Sequence, residues 1–285
     1  MALRFIFTAL LLISTFADSA QAQLGVAMEE LAAKTARMIA GPQPKGRRIA
    51  LVIGNSRYAA APPLSNPRND ATAIAAAFRK AEFAEVIEAH DVTAAEMTAV
   101  LAMFKRKVAE SDWAVVYFAG HGMEMNGSNY LISVDARITS EQDLQQFSVP
   151  LAGVIGSIQG TRKLGLVILD ACRNNPYIKT LQEGRAPSRS QAGGSHPAPI
   201  SAGLGDIAPP SGVMVAYASR HGTVAMDGEG QHSPYTAALL ERLMAPGEEL
   251  NDVFRQVRDQ VFTASGGKQQ PYTYGSLPAE RFYFN

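Results

Sequence analysis

Two apolar runs constrain this chain more than anything else in it. Asp112–Gly122 reads DWAVVYFAGHG, and Leu164–Asn175 reads LGLVILDACRNN. Each is rich in β-branched residues and stops abruptly in small residues and one reactive side chain. A short run that is apolar throughout fits a strand covered on both faces, as in a parallel sheet. The first run delivers His121 just past its strand. The second delivers Cys172, the single cysteine of the chain. Ligands of open α/β sheets bind beyond the carboxyl ends of the strands. As neighbours, these two strands would make His121 and Cys172 a nucleophile–base pair.

The flanking segments supply the remaining layers. Arg48–Gly54 reads as a strand, and no G-x-G-x-x-G follows it, so a dinucleotide site is not supported. Ala71–Lys80 has helical spacing, with Asp70 placed as its N-cap. Glu85–Ala89 is a second strand. Thr93 and Glu96 form a capping box ahead of a helix striped by Met97, Val100, Leu101, Phe104 and Val108. Met123–Asn126 and Tyr130–Val134 flank Gly127-Ser128 as a hairpin. Pro150–Gln159 is a helix, Gly212–Ala218 a strand, and Ser233-Pro234 opens a further helix. Leu250, Val253, Phe254, Val257 and Val261 mark the last helix, and Arg281–Phe284 alternates as a final strand. Strands alternating with helices predict an α/β fold with a helix-covered, mainly parallel sheet of about six strands.

Charge and targeting signals narrow the partners. Lys and Arg together number 26, as do Asp and Glu, and no basic stripe exists, which excludes nucleic acid as a partner. Met1–Arg4, Phe5–Phe16 and Ala20-Gln21-Ala22 have the basic, apolar and A-x-A pattern of a secretory signal peptide over residues 1–22. An uncleaved anchor is the alternative; cleavage predicts an exported chain, periplasmic or secreted, with no stable membrane insertion. Leu24–Ala40 has helical periodicity and ends at Gly41-Pro42, giving a leader helix and linker over 23–46. A lone thiol in an oxidising compartment is a liability unless it works or is buried. Cys172 sits between Asp170 and the polar Arg173-Asn174-Asn175, which favours work.

YFAGHG followed by LDACRNN resembles the catalytic halves of the caspase-like cysteine peptidases (peptidase C14), nearest to the metacaspase and bacterial orthocaspase branch. The distance from residue 121 to residue 172 is close to the spacing of about 50 known for caspases. The resemblance implies a caspase-like α/β/α sandwich over residues 47–285. Within it, 47–183 would be a large-subunit-like part, 184–210 a flexible linker and 211–285 a small-subunit-like part. It implies a cysteine endopeptidase acting on peptides or proteins, with His121 activating the Cys172 thiol and the backbone N–H groups of Gly122 and Cys172 forming an oxyanion hole. Asp170, two residues before the cysteine, and Asp70 resemble the acidic pocket with which metacaspases take Arg or Lys.

Departures from the family pattern are plain. Pro67 stands where many metacaspases have Cys, Ala119 replaces a frequent Ser, and Arg-Asn-Asn-Pro follows the cysteine. The paired acids of a metacaspase calcium site are not clear in Thr139–Gln146, so no cofactor is expected and calcium activation has no motif behind it. No histidine pair has metal-ligand spacing, and no G-x-S-x-G exists. His90 reads as structural, His196 lies in the linker, and His221 and His232 fall in loops. The alternatives are a catalytically silent scaffold binding peptides or partner proteins, and a cysteine hydrolase acting on another bond.

Lys179, Arg185 and Arg189 lie in or beside the Gly/Pro/Ser-rich stretch, the usual setting for proteolytic nicking. Self-cleavage after one of them is expected, with the fragments held together by a shared sheet. Intact-mass analysis of wild type and Cys172→Ala after incubation checks this. Identical masses, in a wild-type sample that hydrolyses peptides, would rule it out.

Overall fold

A computed structural model describes residues 46–172, 177, 180–181, 200–201, 204–220, 225–228 and 230–285, with the backbone alone for Cys172, Ile200 and Ser201. The expected signal peptide over 1–22, leader helix over 24–40, and most of the 184–210 linker lie outside the described residues. So do Lys179, His221 and the Arg173-Asn174-Asn175 segment.

Nine strands and six helices succeed one another along the chain among the described residues. They are β1 (Arg48–Gly54), α1 (Pro67–Lys80), β2 (Glu85–His90), α2 (Ala94–Val108), β3 (Trp113–Met125), β4 (Ser128–Ile132), α3 (Glu141–Gln146) and β5 (Ser148–Pro150). After these come α4 (Leu151–Ile158), β6 (Leu164–Cys172), β7 (Ile200–Ser201), β8 (Val213–Tyr217), α5 (Pro234–Leu243), α6 (Leu250–Ala264) and β9 (Tyr272–Gly275). The main sheet runs β2-β1-β3-β6-β8-β9, parallel except for β9, which is antiparallel to β8. The end of β3 leaves this sheet and pairs antiparallel with β4 and β7, and β5 pairs with β4.

Period-two alternation sends each strand's side chains to two separate cores. Trp113, Val115 and Tyr117 of β3 join Ile74 and Phe78 of α1, Leu239 of α5 and Val257 of α6. Ala114, Val116 and Phe118 face Leu101 and Phe104 of α2 and Val154 of α4. Helices thus cover both faces, which makes the domain an α/β/α sandwich.

Several elements differ from the sequence expectation, each for a local reason. The helix expected over Ala71–Lys80 begins at Pro67, because proline suits the first helical position. Asn66 is therefore its N-cap, and Asp70 sits inside the first turn instead of capping it. His121 is not beyond its strand, and Cys172 is not in a loop: parallel pairing continues to His121↔Cys172 before β3 turns into the second sheet. The Thr139–Gln146 segment contains α3, capped by Ser140 and Asp143, and that cap occupies the Asp143 carboxylate. The final strand expected at Arg281–Phe284 does not form, and Tyr283 makes only an isolated bridge to Glu249. Phe282 and Phe284 instead pack edge-on against Trp113 in the core. The sixth strand of the sheet is β9, in which Tyr272 and Tyr274 alternate with Thr273 and Gly275 over only four residues.

Arg48 explains how the C-terminal segment is held. Its side chain is buried at the start of β1, and Nη1 donates to the carbonyls of Tyr283 (3.2 Å) and Phe284 (2.7 Å). Nη2 donates to the carbonyl of Ala81, and the guanidinium lies 4.7 Å from the centre of the Phe83 ring. Burial pushes its pKa down, and the charge of Glu82 opposes that. Three carbonyls from two distant segments thus share one donor group. Arg48→Leu should destabilise the domain by roughly 2–5 kcal/mol, because it leaves those carbonyls without a donor. A chemical denaturation curve displaced by less than about 1 kcal/mol would show that the clasp is dispensable.

Candidate active site

The sheet places His121 directly across from Cys172. Parallel register carries through Ala119↔Asp170 and Gly120↔Ala171 to His121↔Cys172, the last pair before β3 turns away. The side chain of Cys172 lies outside the described residues. Gly120 permits the close approach at this turn: a Cβ there would stand 2.6 Å from the Tyr58 hydroxyl and 2.9 Å from the Phe118 ring.

His121 is buried and held from two sides. Its backbone N–H donates to the Tyr58 hydroxyl at 2.7 Å, and the two rings lie 4.4 Å apart, tilted by 50°. Its Nε2 lies 3.3 Å from the Pro62 carbonyl. A carbonyl only accepts, so this contact puts the proton on Nε2 and the lone pair of the neutral ring on Nδ1. Nδ1 is buried with no hydrogen-bond partner among the described residues. Burial lowers the imidazole pKa, opposed by the Pro62 carbonyl and by the charge of Asp227. Burial thus favours the neutral ring, with Nδ1 unoccupied among the described residues.

The loop carrying Tyr58 and Pro62 is itself pinned. Asn55 donates to the Ile132 carbonyl and accepts from Val92 N–H. Asp91 accepts from the N–H groups of Ser56 (2.8 Å) and Arg57 (3.0 Å) and from Arg68 (2.6 Å). Burial works against ionising Asp91, but these donors outweigh it and hold the carboxyl below its usual range.

Asp70 and Asp170, far apart in sequence, come together beside the start of α5. Both are almost fully buried. Asp170 Oδ2 accepts from the Ser233 hydroxyl and from Thr236 Oγ1 at 2.7 Å, and Thr236 Oγ1 lies 2.6 Å from the Tyr117 hydroxyl. Asp70 Oδ1 pairs with His232 Nδ1 at 2.8 Å, and its Oδ2 accepts from Ser233 N–H at 3.3 Å. Burial raises the pKa of both acids; the charge of Asp170 adds to the rise at Asp70, and the Ser233 and Thr236 hydroxyls oppose it at Asp170.

Asp227 carries no sequence signal, since it lies in a Gly-rich stretch without a motif. Its oxygens accept from Ser65 N–H (2.7 Å) and Asn66 N–H (3.3 Å), at the mouth of α1. The anchoring expected of Asp70 is therefore supplied by Asp227, and its charge reaches Asp70, Asp170 and His121. Tyr58, Pro62 and His232 likewise have no motif to mark them, whereas the Ser233-Pro234 helix start is visible in the sequence. Among the described residues no group of His, Cys, Asp and Glu is arranged to hold a metal ion. No helix there is long and apolar enough to cross a membrane. A groove of about 500 Å³ between β8, β9 and α6 includes none of these site residues.

Comparison with known families covers most of the chain. The caspase domain, peptidase C14, matches residues 47–283. The chain belongs to the caspase-domain family. Two curated relatives are the mucosa-associated lymphoid tissue lymphoma translocation protein 1 of Homo sapiens and its homologue in Mus musculus. Each is 32% identical over 89 residues, 31% of this chain. The matched part spans only 11% of each relative's length. Within the caspase domain of this chain, two buried acids thus lie at the end of the strand that carries Cys172.

Raised carboxyl pKa values have a definite sign in stability. The folded state holds the acid proton more tightly than the unfolded chain, so this stabilisation is complete below the unfolded value. It is lost as pH rises through the raised, folded value. Asp70→Asn is neutral at every pH and keeps an acceptor for His232. Its melting temperature relative to wild type should rise by roughly 2–4 °C between pH 5 and pH 9, about 1 kcal/mol for a domain of this size. An unchanged difference at the two pH values would show that Asp70 carries no such strain.

Proposed function

We propose that this chain is a cysteine endopeptidase of the caspase-like type, exported from the cell and cutting after Arg or Lys. The observation that carries the reading is the register of β3 and β6, which sets His121 and Cys172 across from each other at the end of a buried ladder. A neutral imidazole with an open Nδ1 suits the removal of a thiol proton. In this reading the Cys172 thiolate attacks the scissile carbonyl, and the oxyanion takes hydrogen bonds from Gly122 and Cys172 N–H. The imidazolium then gives its proton to the leaving amine, and water, deprotonated by His121, releases the acyl group.

Specificity in this reading lies with Asp70, Asp170 and Asp227. Among the described residues no Lys or Arg forms an ion pair with any of the three. A guanidinium or ammonium entering this cluster would relieve carboxylate repulsion and gain charge-assisted hydrogen bonds. The metacaspase or orthocaspase subtype rests on the same acids and on the motif pattern. Export rests on the basic, apolar and A-x-A sequence at the N-terminus, with cleavage before Gln23. The division into 47–183 and 211–285 around the linker rests on the family resemblance.

Cys172→Ala and His121→Ala should each cut turnover of Arg-P1 peptides by at least roughly a thousandfold, because neither residue supplies thiolate chemistry alone. Asp170→Asn should lose about 2–5 kcal/mol in kcat/KM for Arg and Lys substrates while Cys172 alkylation continues. Retained turnover in Cys172→Ala would sink the dyad. Faster wild-type cleavage after Asp than after Arg would sink the acidic pocket, and a well-folded wild type inert on every peptide would favour the scaffold.

A further inference from the structure

Thr236 lies in the first turn of α5 and is fully buried, as is Tyr117 of β3. Its Oγ1 donates to Asp170 Oδ2 at 2.7 Å and lies 2.6 Å from the Tyr117 hydroxyl. A carboxylate only accepts, so the threonine proton goes to Asp170 and the tyrosine donates the second bond. Burial and the charges of Asp170 and Asp70 keep the Tyr117 phenol protonated, and so able to donate. Ser233 is locked in the same way: its Oγ accepts from Thr236 N–H at 2.9 Å and donates to Asp170 Oδ2. Both hydroxyls therefore converge on Oδ2, and neither donates to Oδ1.

We propose that Thr236, backed by Tyr117, is a positioning residue for substrate specificity: it pins Asp170 by Oδ2 and so presents Oδ1 to the cationic side chain of the substrate. This rests on the reading of Asp170 as part of a pocket for Arg or Lys. A carboxylate turning freely about its Cβ–Cγ bond would offer either oxygen over a range of directions. One held by two donors on the same oxygen offers the other in a fixed direction. A preset acceptor loses less freedom when the cation binds. Hydrogen bonds to the charged form also favour that form. Thr236 thus acts through Asp170, on both its orientation and its charge.

The neighbouring groups leave this assignment to Asp170. Burial pushes its carboxyl up to about 6; the Ser233 and Thr236 hydroxyls oppose the rise and the charge of Asp227 adds to it. The carboxyl is therefore ionised at about pH 8. The two oxygens of Asp70 are already engaged, by His232 Nδ1 and by Ser233 N–H. Asp170 Oδ1 is thus the oxygen of the pair to which none of these donors is directed. Valine in place of Thr236 keeps the shape of the side chain, removes the donor to Asp170 and takes away the oxygen that Tyr117 bonds. Serine keeps the hydroxyl.

The full chain, assayed at about pH 8 on paired peptides with Arg or citrulline at P1, tests the proposal, because citrulline is an uncharged isostere of Arg. Thr236→Val should lower the Arg-to-citrulline ratio of kcat/KM about five- to tenfold, chiefly through a higher KM for the Arg peptide. Thr236→Ser should return the ratio to within about twofold of wild type. A merely structural role would slow both peptides together and leave the ratio in place. Tyr117→Phe loses only the hydroxyl behind Thr236 and should lower the ratio about two- to threefold. It decides the outcome should the valine variant fail to fold. An unchanged ratio in a folded Thr236→Val, or in Tyr117→Phe where valine does not fold, would overturn the role of Thr236 and leave the pocket standing. A wild type that cuts both peptides equally, or neither, would overturn the pocket and the role of Thr236 with it.

Discussion

The pairing of β3 with β6 is the constraint on which the rest of the domain depends. It runs unbroken from Trp113↔Leu164 to His121↔Cys172, in the middle of the main sheet and covered by helices on both faces. A slip of one residue would send each side chain to the opposite face, exchanging the two cores. Two tightly packed cores of different shape therefore hold the register. The alignment of His121 with Cys172 is a by-product of that packing and needs no dedicated contact between them.

Beyond the ladder, the sheet ends in a region of buried polar groups. Asp170 occupies a position that Leu164, Leu166 and Ile168 fill lower on the same face of β6. A carboxylate there is tolerable because Ser233 and Thr236, at the first turn of α5, turn their hydroxyls toward it. The helix N-terminus itself favours negative charge. Asp70 is satisfied by the same turn, through Ser233 N–H and His232. The start of α5 therefore serves as anchor for α1, β6 and the helix at once. This explains how a fold can keep two acids close together with no lysine or arginine, among the described residues, between them. The remaining strain, expressed in the raised pKa of both, is what a cationic side chain would relieve.

The opposite side of the site is governed by the loop after β1. Asn55 and Asp91 fasten it, and it presents the Tyr58 hydroxyl and the Pro62 carbonyl to His121. These contacts determine which imidazole nitrogen holds the proton. The orientation of the imidazole thus depends on a backbone carbonyl and on a carboxylate that never touches it.

By itself, the sequence determined the local periodicities and the elements they encode. The apolar runs specified buried parallel strands, the Thr93–Glu96 box and Ser233-Pro234 specified helix starts, and Gly127-Ser128 marked the hairpin, whose turn falls one residue earlier at Asn126-Gly127. His121, Cys172 and the two acids were legible as types at meaningful positions. Tertiary structure alone decided that Asp227 anchors the start of α1 and that β9 instead of Arg281–Phe284 completes the sheet. It alone brought Tyr58, Pro62 and His232 to the site. The physical reason is range. Helix and strand preferences act over a few residues and leave a periodic trace, whereas a hydrogen bond between residues 70 and 232 leaves none in either segment. Such contacts exist only once both segments are packed against one sheet.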